Sequence, residues 1–135
     1  MAAYQQYQAE AEAIARQIGL TQLTAEGLDR AVTAVDALEK AEEGQEMLVP
    51  IGSGSFIHGK LASKEKVVLN IGAGVSIEKT AAEARESLKE RRAEVAEGSK
   101  RLNEVLSKID MEMQKLQAQL AKLEQQPGER SEGVV

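Results

Sequence analysis

The sequence predicts a mainly α protein with a small β region: a long antiparallel coiled-coil hairpin with two β-hairpins inserted between its helices. Three observations predict this. Apolar residues recur at alternating spacings of three and four over both ends of the chain. In the middle the period falls to two, and the triplets Gly52-Ser53-Gly54 and Gly72-Ala73-Gly74 punctuate that middle as turns would. At 135 residues there is room for one domain. Residues 1–135 are therefore expected to form a single unit: a helix over about 3–43, two β-hairpins over 46–79, a helix over 80–126 and a loose tail over 127–135.

The first helix follows from a heptad. Tyr4, Ala11, Ile18, Ala25 and Val32 occupy one seam position, and Tyr7, Ile14, Thr21, Leu28 and Val35 the other. Gly19, Thr21 and Gly27 are its weak points, since a glycine inside a helix costs about 1 kcal/mol relative to alanine. A bend or break over Gly19 to Thr24 is one consequence, and two shorter helices on an ordinary core are the alternative.

The second helix opens at Thr80-Ala81-Ala82-Glu83, a capping box in which both side chains satisfy free backbone donors. Its seam reads Ala84, Leu88, Arg91, Val95, Gly98, Leu102, Leu106, Ile109, Met113, Leu116, Leu120 and Leu123. Between Val95 and Leu106 the spacings run three, four, four, which locally relaxes a left-handed supercoil. Pro127-Gly128 ends the pattern. Continuous helices of roughly 40 and 45 residues would each run about 60–70 Å. A linker of some 35 residues between them folds the second back along the first. Charge agrees, because residues 1–44 hold eight acidic and three basic groups, while Arg85, Lys89, Arg91, Arg92, Lys100 and Arg101 fill the first half of the second helix. In this register Gly27 and Gly98 fall at similar heights, where close approach, bending or mere tolerance of glycine are the open readings.

Four short strands are expected between the helices, at Met47–Ile51, Ser55–Leu61, Lys66–Ile71 and Val75–Lys79. Gly52-Ser53-Gly54, Ala62-Ser63-Lys64-Glu65 and Gly72-Ala73-Gly74 separate them, each able to serve as a hairpin connection. Val67, Leu69 and Ile71 alternate onto one face, with Val75 and Ile77 on the matching face of the next strand. Pro50 removes a ladder donor, so its strand belongs at an edge. Two hairpins alone leave open edges and an apolar face, so this piece needs strands from neighbouring subunits.

Composition supports an obligate oligomer and excludes several function classes. Apolar residues make up 42% of the chain but aromatics only 2%, namely Tyr4, Tyr7 and Phe56. Bulky side chains dominate burial energetics, so a thick self-contained core is not expected. With no cysteine there is no disulfide framework and no thiolate ligand or nucleophile. No apolar stretch reaches the length of a membrane span, and the first residues lack the regions of a signal peptide, so a cytoplasmic protein without membrane contact is expected. A net charge of −5 disfavours nucleic acid.

Enzyme motifs fail on inspection. Gly54-Ser55-Phe56-Ile57-His58-Gly59-Lys60-Leu61 approaches a phosphate-binding loop, but Leu61 stands where a hydroxyl should hold magnesium, and period-two sequence surrounds it. Gly52-Ser53-Gly54 lacks the third glycine of a dinucleotide fingerprint, since position 57 is Ile. His58 is the single histidine, so no histidine metal cluster forms within one chain. No catalytic residue, metal or cofactor is expected, and an enzyme would instead show turnover dependent on Lys60 or His58.

Two runs carry a family resemblance. Leu48-Val49-Pro50-Ile51-Gly52-Ser53-Gly54-Ser55-Phe56-Ile57 resembles the start of the first hairpin in α-type prefoldin subunits, and Val68-Leu69-Asn70-Ile71-Gly72-Ala73-Gly74-Val75-Ser76-Ile77-Glu78-Lys79 resembles their second. Two hairpins, where β-type subunits have one, point to the α type and a prefoldin-like fold. The resemblance implies a hetero-hexamer of two α and four β subunits joined through β-barrels. It further implies coiled-coil arms that hold unfolded protein at their tips without ATP and pass it to a group II chaperonin. The first helix is richer in Ala and Gly than the family pattern. Val49, Ile51, Phe56, Ile57, Val67, Leu69, Ile71, Val75 and Ile77 are then the candidate assembly residues. Holding an unfolded chain needs accessible apolar groups at the arm end, where Tyr4, Tyr7, Ile14, Met113, Leu116, Leu120 and Leu123 lie. The competing function is a structural coiled-coil adaptor that oligomerises through its β region and binds one folded partner.

Overall fold

The computed structural model describes residues 2–125, and the expected stop at Pro127-Gly128 and the tail over 127–135 lie outside them. The elements run α1 (Ala2–Lys40), β1 (Glu46–Gly52), β2 (Ser55–Lys60), β3 (Lys66–Gly72), β4 (Val75–Thr80) and α2 (Ala81–Glu124). Two long helices thus enclose two antiparallel hairpins. By contacts the chain divides into two units, Met1–Leu23 with Ala96–Val135, and Thr24–Val95.

Helix α1 is continuous through Gly19 to Thr24, so the alternative of two shorter helices does not hold. Thr21 and Thr33 donate their hydroxyls to the carbonyls of Gln17 and Asp29, at 2.9 and 3.0 Å, so each hydroxyl finds its partner one turn back within the helix. The helix ends at Lys40, three residues before the expected limit. A turn intervenes, in which the Gln45 side chain accepts from the Glu42 amide and Gly44 takes a φ of +82° that ordinary residues avoid. Helix α2 starts directly from β4. Thr80 Oγ1 accepts from the Glu83 amide at 3.1 Å, as a capping residue should. The Glu83 carboxylate, however, receives the Thr80 hydroxyl at 2.9 Å in place of the Thr80 backbone amide. Thr80 is also the last residue of β4, paired with Lys66, so one residue closes the sheet and opens the helix.

Strands β1 and β2 form one two-stranded sheet and β3 and β4 another. Residues 62–65 therefore link two separate sheets and do not form a hairpin. Each true turn carries positive φ at both central residues, Ser53 and Gly54 in one, Ala73 and Gly74 in the other. This is the twist that type I′ hairpins need. Each first strand also shifts register just before its turn, between Pro50 and Gly52 and between Asn70 and Gly72.

In the unit Thr24–Val95, Val35, Leu69, Ala81 and Leu88 form a buried cluster, with Leu28, Ala31, Val32, Leu38 and Val67 packed on it. Asp36 meets Arg85, and Asp29 meets Arg92. Partner numbers on α1 fall by seven as those on α2 rise by seven, which fixes the helices antiparallel here. In the unit Met1–Leu23 with Ala96–Val135, Ile18 and Ile109 are buried, and Gln117 Nε2 donates to Tyr4 Oη at 2.8 Å. A Cβ at Gly98 would meet nothing within 4 Å, and at Gly27 only the Arg30 guanidinium at 3.8 Å. Neither glycine serves close packing.

Candidate interaction surfaces

The first hairpin has two apolar faces, and the chain covers neither. Directly paired residues share a face. Val49 lies opposite Ile57, and Met47 opposite Gly59, on one side. A Cβ on Gly59 would come within 3.2 Å of Val49 and 3.7 Å of Met47, so the bare glycine lets those side chains lie across it. Leu48 pairs with His58, and Pro50 with Phe56, on the other side. Met47, Leu48, Val49, Ile51, Phe56 and Ile57 are all exposed, from 37% at Val49 to 62% at Ile51. At the base of this hairpin an open groove of about 280 Å³ is lined by Ala34, Ala37, Leu38 and Ala41 of α1 with Met47 and Leu61.

The second hairpin has one apolar face, and the helices cover it. Leu69 is buried and Val67 partly buried against the α1 and α2 cluster, with Ile77 opposite Leu69 and half-buried. Lys79 on the same face reaches the Ser87 hydroxyl at 3.1 Å. The other face pairs Val68 with Glu78 and Asn70 with Ser76. Val67 and Leu69 thus pack into the chain's own core. Ile71 and Val75, beside the turn, remain exposed.

Helix α1 is tied to α2 beside this hairpin by Arg85, whose guanidinium bridges Asp36 at 2.7 Å and also contacts Glu39. Hydrogen bonding to Glu39 first, and to Asp36 second, pushes the Arg85 pKa above its ordinary value and keeps the cation charged.

All seven residues expected to hold unfolded protein lie in the unit Met1–Leu23 with Ala96–Val135. Tyr4, Tyr7, Ile14, Met113, Leu116 and Leu120 are half-buried in the seam, and Leu123 is exposed. Heptad reasoning missed the apolar residues off the seam: Leu20, Leu23, Val105 and Met111 are all exposed here. Their signal was in the sequence as large apolar residues out of heptad phase. Among the described residues, every large apolar side chain left exposed on a helix belongs to this unit.

The residues weighed for catalysis are not brought together. His58 and Lys60 lie on exposed strand β2, and residues 55–60 form that strand instead of opening a helix. Among the described residues no group of three His, Cys, Asp or Glu is placed to hold a metal, and no helix is long and apolar enough to cross a membrane.

A family model described as prefoldin subunit matches residues 7–126. The chain belongs to the prefoldin subunit family. Prefoldin subunit alpha of Methanothrix thermoacetophila is 63% identical over 101 residues, which cover 75% of this chain and 66% of that protein. Prefoldin subunit alpha of Methanosarcina mazei is 34% identical over 131 residues, covering 95% of this chain and 91% of its own. In three dimensions the fold is similar to a chain in the cryo-EM structure of filamentous PFD from Methanocaldococcus jannaschii, with a TM-score of 0.77 and 24% identity, covering 87% of this chain and 98% of that one. Prefoldin membership carries a chaperone-type function and assembly with other prefoldin subunits.

Proposed function

We propose that the chain is the α-type subunit of a cytoplasmic prefoldin, assembled as two α with four β subunits, that holds unfolded proteins without ATP and delivers them to a group II chaperonin. The observation that carries this reading is the first hairpin, whose six large apolar side chains are left outside on both faces. Covering the remaining surface of each would contribute on the order of 1 kcal/mol, which favours association. Neighbouring hairpins would cover Val49, Ile51, Phe56 and Ile57, while Ile71, Val75 and the open strand edges extend the contact. Unfolded chains would be held by the helix ends that carry Tyr4, Tyr7, Ile14, Met113, Leu116, Leu120 and Leu123.

The half-burial of six of those seven residues favours a second reading, the structural adaptor, because a closed seam offers little to an unfolded chain. An aggregation assay separates the two. Mixed with a β-type subunit, the chain is expected to suppress aggregation of several unrelated denatured proteins without ATP. Failure with every one of them would favour the adaptor instead.

A further inference from the structure

Histidine is the side-chain type that changes charge between about pH 5 and 8, and His58 is the single histidine of this chain. Its place is specific. Laid turn on turn, with Gly52 on Gly72 and Gly54 on Gly74, the two hairpins superpose pair for pair, so that Leu48 with His58 falls on Val68 with Glu78. On the mostly polar face, beside Asn70 and Ser76, the position carries a carboxylate. On the apolar face, beside Pro50 and Phe56, it carries a group that can be neutral.

Leu48 and Phe56 on that face are 60% and 56% exposed, and His58 is exposed with them. A neighbouring subunit laid over the two leaves the imidazole no water either. Covering a group disfavours its charged form far more than its neutral one, unless an opposite charge offsets the cost. On β1 the charged group beside His58 is Glu46, and on β2 it is Lys60, and these two pair across the strands at the hairpin base. They bring one charge of each sign, so together they do not favour an imidazolium. Among the described residues none of the three forms an ion pair. The hollow beside His58 is lined by Glu46, Gly59 and Lys60, with no residue of a helix.

We propose that His58 makes assembly through the first hairpin pH-sensitive: the neutral imidazole is covered together with Leu48 and Phe56, and its protonation releases the neighbouring subunit. This rests on the assembly reading given above. Because the assembled state favours the neutral form, full affinity is present above the histidine range and falls as pH drops through it. One proton per chain limits the loss to about tenfold for each pH unit below the ordinary imidazole value.

The test measures the affinity of the fluorescently labelled chain for a β-type subunit at about pH 8 and about pH 5.5. The unaltered chain should bind about tenfold more weakly at the lower pH. His58→Gln, which is neutral at both, should lose that difference, and His58→Lys, which is charged at both, should bind weakly at both. The helical circular dichroism of each free chain should be the same at the two pH values. A full pH difference retained by His58→Gln overturns the proposal by placing the titrating group elsewhere. His58→Lys binding as tightly as the unaltered chain at pH 8 overturns it by showing that the position stays in water. Helical signal lost at the lower pH overturns it by assigning the effect to folding. No binding by the unaltered chain at pH 8 overturns the assembly reading itself.

Discussion

The two hairpins share length, turn chemistry and a register shift before the turn, yet one completes the chain's own core and the other stands uncovered. The difference lies on the second face. Behind Val67, Leu69 and Ile77 stand Val68, Asn70, Ser76 and Glu78, a mostly polar face on which Val68 alone is apolar, so the sheet's main apolar side is the one the helices cover. Behind Met47, Val49 and Ile57 stand Leu48, Pro50 and Phe56, so covering one side would still leave the other in water. A two-faced hairpin is a surface for other chains, and a one-faced hairpin is a lid on its own helices.

A buried charge probes this contrast most strongly. Leu69→Asp should destabilise the chain by about 3–5 kcal/mol, since Leu69 is 6% exposed and packed in an apolar cluster, and thermal melting followed by circular dichroism would register the loss. Val49→Asp should do the reverse, leaving the melt within about 0.5 kcal/mol while light scattering shows the complex reduced to free subunits. Equal effects of the two substitutions on stability would erase the distinction between the hairpins. Thr80→Ala sharpens it by cutting the joint between the second hairpin and α2, with an expected loss of about 1 kcal/mol in the same melt. The smallest effect belongs to the clamp beside that hairpin. Arg85→Met should lower the melting temperature slightly at low salt and reduce its dependence on added chloride, because a partly exposed ion pair is screened.

Much of this was legible beforehand. Every residue assigned to the α1 seam from Tyr4 to Val35 is buried or half-buried, and so is every α2 seam residue except Leu123, because a heptad repeat puts its apolar residues on one stripe of a helix. The end of α1 was not legible, since it depends on a turn that Gln45 and Gly44 close. Which hairpin is covered was harder to see. Val67, Leu69 and Ile71 alternate just as Met47, Val49 and Ile51 do, and only the polarity of the intervening residues separates a core face from an assembly face. The off-seam leucines escaped notice because a heptad search asks what lines the seam and not what is left outside it.

Amide hydrogen exchange tests the central contrast most directly. Measured on the chain alone and again after assembly with a β-type subunit, exchange over residues 46–60 should slow markedly, whereas Val67 and Leu69, already packed on the helices, should change little. Exchange over 46–60 that is the same in both states would contradict the account.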